Sequence, residues 1–153
     1  MQFSKWKLWD NRAEHLSINY PGIYALSIND GNIEGQDFQL TSNICYFGMT
    51  NSKQGLKGRL GQFNNTLRDK KGGGHGGAER FRYDYKSGES LALRLFVSVW
   101  PFPCNTKEPT PDDYRQMGQV TKAEYDAFAL YLEEFGNLPK YNDHKASPKH
   151  KKS

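Results

Sequence analysis

Three side chains stand where their chemistry is awkward for a folding core. Tyr24 lies in PGIYALSI (residues 21–28) and Tyr46 in ICYFGMT (residues 44–50), and both runs read as short strands. A buried phenol must find a partner for its hydroxyl, so these are either ordinary core tyrosines or two hydroxyls converging on a shared target. Glu124 is the third. At about 100° per residue, Phe128, Tyr131, Leu132 and Phe135 define the buried stripe of a C-terminal helix. Glu124 falls inside that arc, whereas Asp126, Glu133 and Glu134 point away. Unpaired burial of charge is expensive, so this carboxylate needs a partner. Thr121-Lys122-Ala123-Glu124 offers a structural answer, a capping box at a helix start; a functional carboxylate is the alternative.

The charge pattern suggests what such groups would act on. The net charge is +4, from 21 Lys+Arg against 17 Asp+Glu, so its distribution matters more than its size. Lys53, Lys57, Arg59, Arg68, Lys70 and Lys71 face only Asp69 in their stretch, and Arg80 and Arg82 follow. Lys140, Lys145, Lys149, Lys151 and Lys152 crowd the C-terminus. A solvated face plus a disordered tail accounts for such runs; nucleic acid is the functional reading, because phosphates reward clustered cations. KKGGGHGG (residues 70–77) lacks the G-x-x-x-x-G-K-[ST] pattern of a phosphate cradle and reads as a flexible loop. Cys45 and Cys104 have no paired spacing that suggests zinc, and Cys45 reads as a small core residue. MQFSKWKLWDNR has no apolar signal region, and nowhere do 18 apolar residues run together. The expectation is a cytoplasmic protein with no membrane partner.

The elements that must position these groups follow from periodicity. With 153 residues, 36% hydrophobic and 14% aromatic, one domain forms whose packing leans on aromatics. Residues 1–20 read as a polar lead-in with a short helix, residues 21–142 as the domain, and residues 143–153 as a basic, disordered tail. Pro21 opens a first strand to Ile28, Asp30-Gly31 starts the connection, and residues 44–49 pair with it antiparallel. Leu56, Leu60, Phe63 and Leu67 repeat at helical spacing, although Gly58 and Gly61 each cost that helix about 1 kcal/mol. LALRLFVSV predicts a strand from Leu91, with Leu91, Leu93, Leu95, Val97 and Val99 on one face. PFPCNTKEPTPDD breaks structure with four prolines, and a last helix over residues 122–135 stops at Gly136. The fold class is α+β: a small three-stranded antiparallel sheet flanked by helices.

With its elements in this order the chain resembles the GIY-YIG nuclease superfamily. The first signature stands as Gly22-Ile23-Tyr24 and the second as Tyr46-Phe47-Gly48, with Phe in place of the usual Ile. The arginine of the following helix matches Arg59 in GLKGRLGQF, the metal-binding glutamate Glu124, and the closing asparagine Asn142 in LPKYN. The likeness covers about residues 20–142. It implies a metal-dependent DNA endonuclease in which Glu124 holds one Mg²⁺ or Mn²⁺. A single carboxylate suits Mg²⁺, which keeps several of its waters. Arg59 would fork onto the phosphate's non-bridging oxygens. Tyr24 would activate or orient the attacking water, Tyr46 would bond the water or phosphate, and Asn142 would brace Glu124 or nearby backbone. Lys53, Lys57, Arg68, Lys70 and Lys71 would track the DNA backbone.

Local pattern leaves some of this open. Arg59 lies roughly 70° from the centre of its helix's apolar stripe, which suits a cleft rim or a snorkelling side chain. A phenol titrates near about 10, so a general-base Tyr24 needs a neighbouring cation. Two features depart from the family. The connection between the tyrosine strands is long, and Phe63 stands where many relatives have a histidine one turn after the arginine. His75 is the candidate substitute, although a lone loop histidine is usually solvated. So short a chain leaves room for a homodimer or a specificity partner. A non-catalytic nucleic-acid-binding module on the same fold is the alternative function.

Overall fold

A computed structural model describes residues 1–150. The sheet has four strands: β1 (Lys7–Leu8), β2 (Gly22–Ile28), β3 (Ile44–Thr50) and β4 (Leu95–Pro101). All pair antiparallel in the order β1-β4-β2-β3, which makes β2 interior and β3 an edge. The composition of GIYALSI fits that place, since a strand covered on both faces is apolar throughout rather than alternating.

Period-two alternation then sorts side chains between two layers. Tyr24 and Leu26 pack with Leu56, Leu60, Phe63 and Leu67 of helix α1 (Gly55–Leu67) and with Phe81 of α2 (Gly76–Asp84). A short helix, α3 (Gly88–Ala92), joins the same layer. On the opposite face, Ile23 and Ala25 meet Val120, Ala123, Ala127 and Tyr131 of α4 (Pro111–Phe135). The architecture is therefore mixed α+β, with α1 to α3 on one face and α4 on the other.

Several expectations change. The fourth strand comes from the lead-in, where Lys7 pairs with Val97 and Leu8 with Phe96. Trp6 and Trp9 are buried on either side of it, and the Trp9 indole N–H donates to Asn64. Two residues are too few to show a strand period, and the charged neighbours hide the tryptophan anchors. LALRLFVSV is strand only from Leu95. Leu91 lies in α3, which starts because the Ser87 hydroxyl accepts from the Ser90 N–H, and Leu93 is exposed.

The last helix begins eleven residues earlier than its periodicity shows. Pro111 occupies the first helical turn, where a missing N–H costs nothing. Thr110 and Asp113 form the capping box, with the Asp113 carboxylate taking the Thr110 N–H at 2.8 Å. Thr121 and Glu124 are consequently mid-helix, and the capping explanation of Glu124 fails. Gly136, at φ +77°, ends the helix where expected.

The C-terminal segment does not leave the body. Residues 143–150 fold back over α2, with the Ser147 side chain buried and the His150 N–H donating to the Glu79 carbonyl. Lys151 and Lys152, counted with the basic tail, lie outside the described residues. Among the described residues no helix is long and apolar enough to cross a membrane.

Candidate active site

Tyr24 sits mid-strand in β2, directly across from Gly48 on β3, and is fully buried. Its ring lies over Gly48 so closely that any Cβ there would overlap the phenol. Tyr46 uses the same device, because a Cβ on Gly77 of α2 would stand 2.7 Å from the Tyr46 hydroxyl oxygen. Two glycines thus make room for two phenols whose ring centroids are 6.0 Å apart.

Arg59 and Glu124 reach the same place from opposite layers. Arg59 projects from the half-buried flank of α1, where its Nη1 donates to Gln62 at 2.6 Å. Its charge acts on Tyr24, Tyr46, His75 and Glu124 alike. Burial raises the Tyr24 phenol well above its ordinary value, Tyr46 and Glu124 add to that, and Arg59 opposes it. Burial raises Tyr46 too, again against Arg59. Glu124 is half-buried, and burial lifts its carboxyl to about 7 while Arg59 pulls it down. Arg59 and Glu124 both act on Tyr24 and Tyr46, whose ring centroids lie 6.0 Å apart, so the four side chains are neighbours. Arg59 also borders a groove of about 670 Å³ whose walls include Asn51, Gln54, Gln62 and Asn65.

The residue that sequence reasoning undervalued is His75. It is fully buried rather than solvated, and it caps α2. Its Nδ1 accepts from the N–H groups of Gly77 at 3.0 Å and Ala78 at 3.3 Å. Its Nε2 lies 2.8 Å from the Tyr24 hydroxyl oxygen. Burial and the Arg59 charge lower its pKa to about 3, so the ring is neutral at physiological pH. A neutral imidazole has one N–H, and an Nδ1 facing two donors cannot hold it. The proton therefore sits on Nε2 and is donated to Tyr24. His75 cannot take a proton from Tyr24; it fixes the phenol and favours negative charge on its oxygen. The available signal was positional: a histidine with a lone-pair nitrogen, immediately ahead of the helix start GGAERF.

Asn142 braces backbone rather than Glu124. Its Oδ1 accepts from the Phe47 N–H at 2.8 Å and its Nδ2 donates to the Phe47 carbonyl at 2.9 Å. The Tyr141 N–H donates to the Cys45 carbonyl on the same exposed edge. Together they hold the β3 edge as a partner strand would, which locks Tyr46 and Gly48 in register.

Of the basic residues expected to track DNA, Lys53, Lys57, Lys70 and Lys71 are exposed. Arg68 is not available: its guanidinium is held by Asp10 at 2.7 Å and Glu89 at 3.0 Å, partners remote in sequence. Arg82 is likewise consumed, by Asp69 and by the carbonyls of Leu67, Tyr85 and Lys86.

A divalent cation can be tested against these side chains. Among the described residues no three His, Cys, Asp or Glu side chains cluster as a protein cage. Among the described residues Glu124 is the carboxylate whose charge acts on both phenols, and a single carboxylate fits an ion that keeps waters and takes substrate phosphate oxygens. A half-buried carboxyl lifted to about 7 is also a group that a cation would stabilise. No family model matches the chain, and no curated protein or solved structure matches it.

Proposed function

We propose that the chain is a DNA endonuclease of the GIY-YIG type, hydrolysing phosphodiester bonds with one Mg²⁺ or Mn²⁺ held by Glu124. The observation that supports this best is the convergence of Tyr24, Tyr46, Arg59 and Glu124 from β2, β3, α1 and α4 on one site. Phe63 adds to it. The imidazole of His75 packs edge-on against the Phe63 ring, centroids 4.9 Å apart, so a second element supplies the ring that the α1 position lacks.

Arg59 binds the non-bridging oxygens of the scissile phosphate and stabilises charge that grows there. Tyr24 accepts a hydrogen bond from His75, so its own hydroxyl proton points toward the site, where it orients water or phosphate. Phenolate formation at Tyr24 is opposed by burial, by Tyr46 and by the Glu124 charge, and is favoured by Arg59 and the His75 N–H. Neutralising Glu124 removes one of the opposing influences. Tyr46, on which the charges of Arg59 and Arg80 both act, bonds a phosphate oxygen or the water. A divalent ion bound at Glu124 would polarise the phosphate and stabilise the leaving oxygen.

Incubation with supercoiled plasmid tests the reading. Nicked or linear product is expected with Mg²⁺ or Mn²⁺, none with chelator, and none from Glu124→Ala or Arg59→Ala. Salt-sensitive binding without cleavage under any divalent ion would replace it with the non-catalytic binding module.

A further inference from the structure

The C-terminal segment is held in place far more firmly than a charged tail needs to be. Asp143 starts a tight turn in which its carbonyl receives the Ser147 N–H at 3.0 Å and the Ser147 hydroxyl at 2.6 Å. The Ser147 carbonyl then receives Arg80 Nη1 at 2.6 Å, and the His150 N–H donates to Glu79 at 2.8 Å. Lys149, between those two anchors, is thereby directed onto the first turn of α2. Its ammonium lies against Gly76, where a Cβ would stand 3.2 Å from Nζ. The next residue, Gly77, is the one that accommodates the Tyr46 ring. Arg80 lies one turn further along the same helix, and its charge reaches Tyr46.

Lys149 is thus held at Gly76, next to the glycine that makes room for Tyr46, and the charge of Arg80 acts on that phenol. Among the described residues neither Lys149 nor Arg80 has a carboxylate partner. Cations that no carboxylate pairs are free to take up an anion's charge. We propose that residues 143–150 form a strap that sets Lys149, together with Arg80, as a second phosphate-binding point. It receives the DNA phosphate next to the scissile one, on the Tyr46 side of the site. This rests on the nuclease reading. The strap gives this strand a fixed second anchor, so the scissile phosphate is presented to Arg59 in one register.

The experiment measures affinity of the full chain for a short duplex without divalent ions, across a range of salt concentrations. The variants are Lys149→Ala, Lys149→Arg and Lys145→Ala, the last removing one charge from an exposed position of the same segment. Lys149→Ala is expected to weaken binding about tenfold and to flatten the slope of log K against log salt by about 0.9, the loss of one phosphate contact. Lys149→Arg should restore both, and Lys145→Ala should change binding less than twofold. Equal losses in Lys149→Ala and Lys145→Ala would overturn the strap, leaving only bulk charge. Wild-type protein that binds no duplex would overturn the nuclease reading itself, a different result from equal losses.

Discussion

Glu124→Gln is expected to stabilise the metal-free protein while abolishing cleavage. Burial raises the Glu124 carboxyl from the usual 4.5 to about 7, so between those values the native state holds a proton that the unfolded chain has released. Native stability from this residue is therefore fully present below about pH 4.5 and is lost as pH rises through 7. The displacement is worth at most about 3 kcal/mol at about 1.36 kcal/mol per pH unit. The carboxylate is partly exposed, and solvent screening reduces this to about 1–2 kcal/mol. Glutamine keeps the shape without the charge, so it should recover that amount at pH 8 and almost none at pH 4. For a chain of this length that is a rise in Tm of about 2–8 °C. The buried histidines act in the opposite sense. His75, lowered to about 3, and His15, also lowered by burial, contribute stability that is lost as pH falls below the ordinary histidine range. The assay is accordingly the difference in Tm between the two proteins, followed by circular dichroism from pH 4 to 9 in chelator. A difference that is flat with pH, or that grows toward acid, would refute the reasoning.

Other substitutions separate positioning from chemistry. Tyr24→Phe leaves the His75 N–H without an acceptor, so denaturant titration should show a loss of about 1–3 kcal/mol. Its plasmid cleavage should fall about 10²-fold or more, the scale of a lost acid–base group. Gly48→Ala keeps every site side chain but puts a methyl into the Tyr24 phenol, so cleavage should fall about as far as in Tyr24→Phe; wild-type activity there would show that the phenol's place does not matter. Asn142→Ala removes both bonds to Phe47, costing about 1–3 kcal/mol by the same measurement and lowering kcat more than KM.

Legibility in the sequence followed interaction range. The β2 and β3 strands, the α1 stripe and the Gly136 stop are local patterns, and they stand where periodicity puts them. Glu124 stood out because a carboxylate fell in the expected stripe of Phe128, Tyr131, Leu132 and Phe135, although the buried face is Val120, Ala123, Ala127 and Tyr131 and Leu132 is exposed. The start of α4 was hidden because a proline-rich run looks like a breaker unless Thr110 and Asp113 are recognised as a cap. His75 was hidden because its burial depends on Thr66, Gly77 and Tyr24, which no short window holds together. Arg68 misled for the mirror-image reason: Asp10, its partner, lies 58 positions away.

The most direct measurement of the central claim is a crystal of Tyr24→Phe bound to duplex DNA and soaked in Mn²⁺, with anomalous scattering recorded. One manganese peak should lie at the Glu124 carboxylate, sharing a phosphate that Arg59 also contacts. A peak remote from Glu124, or a phosphate backbone that bypasses Arg59 and Tyr46, would contradict the account.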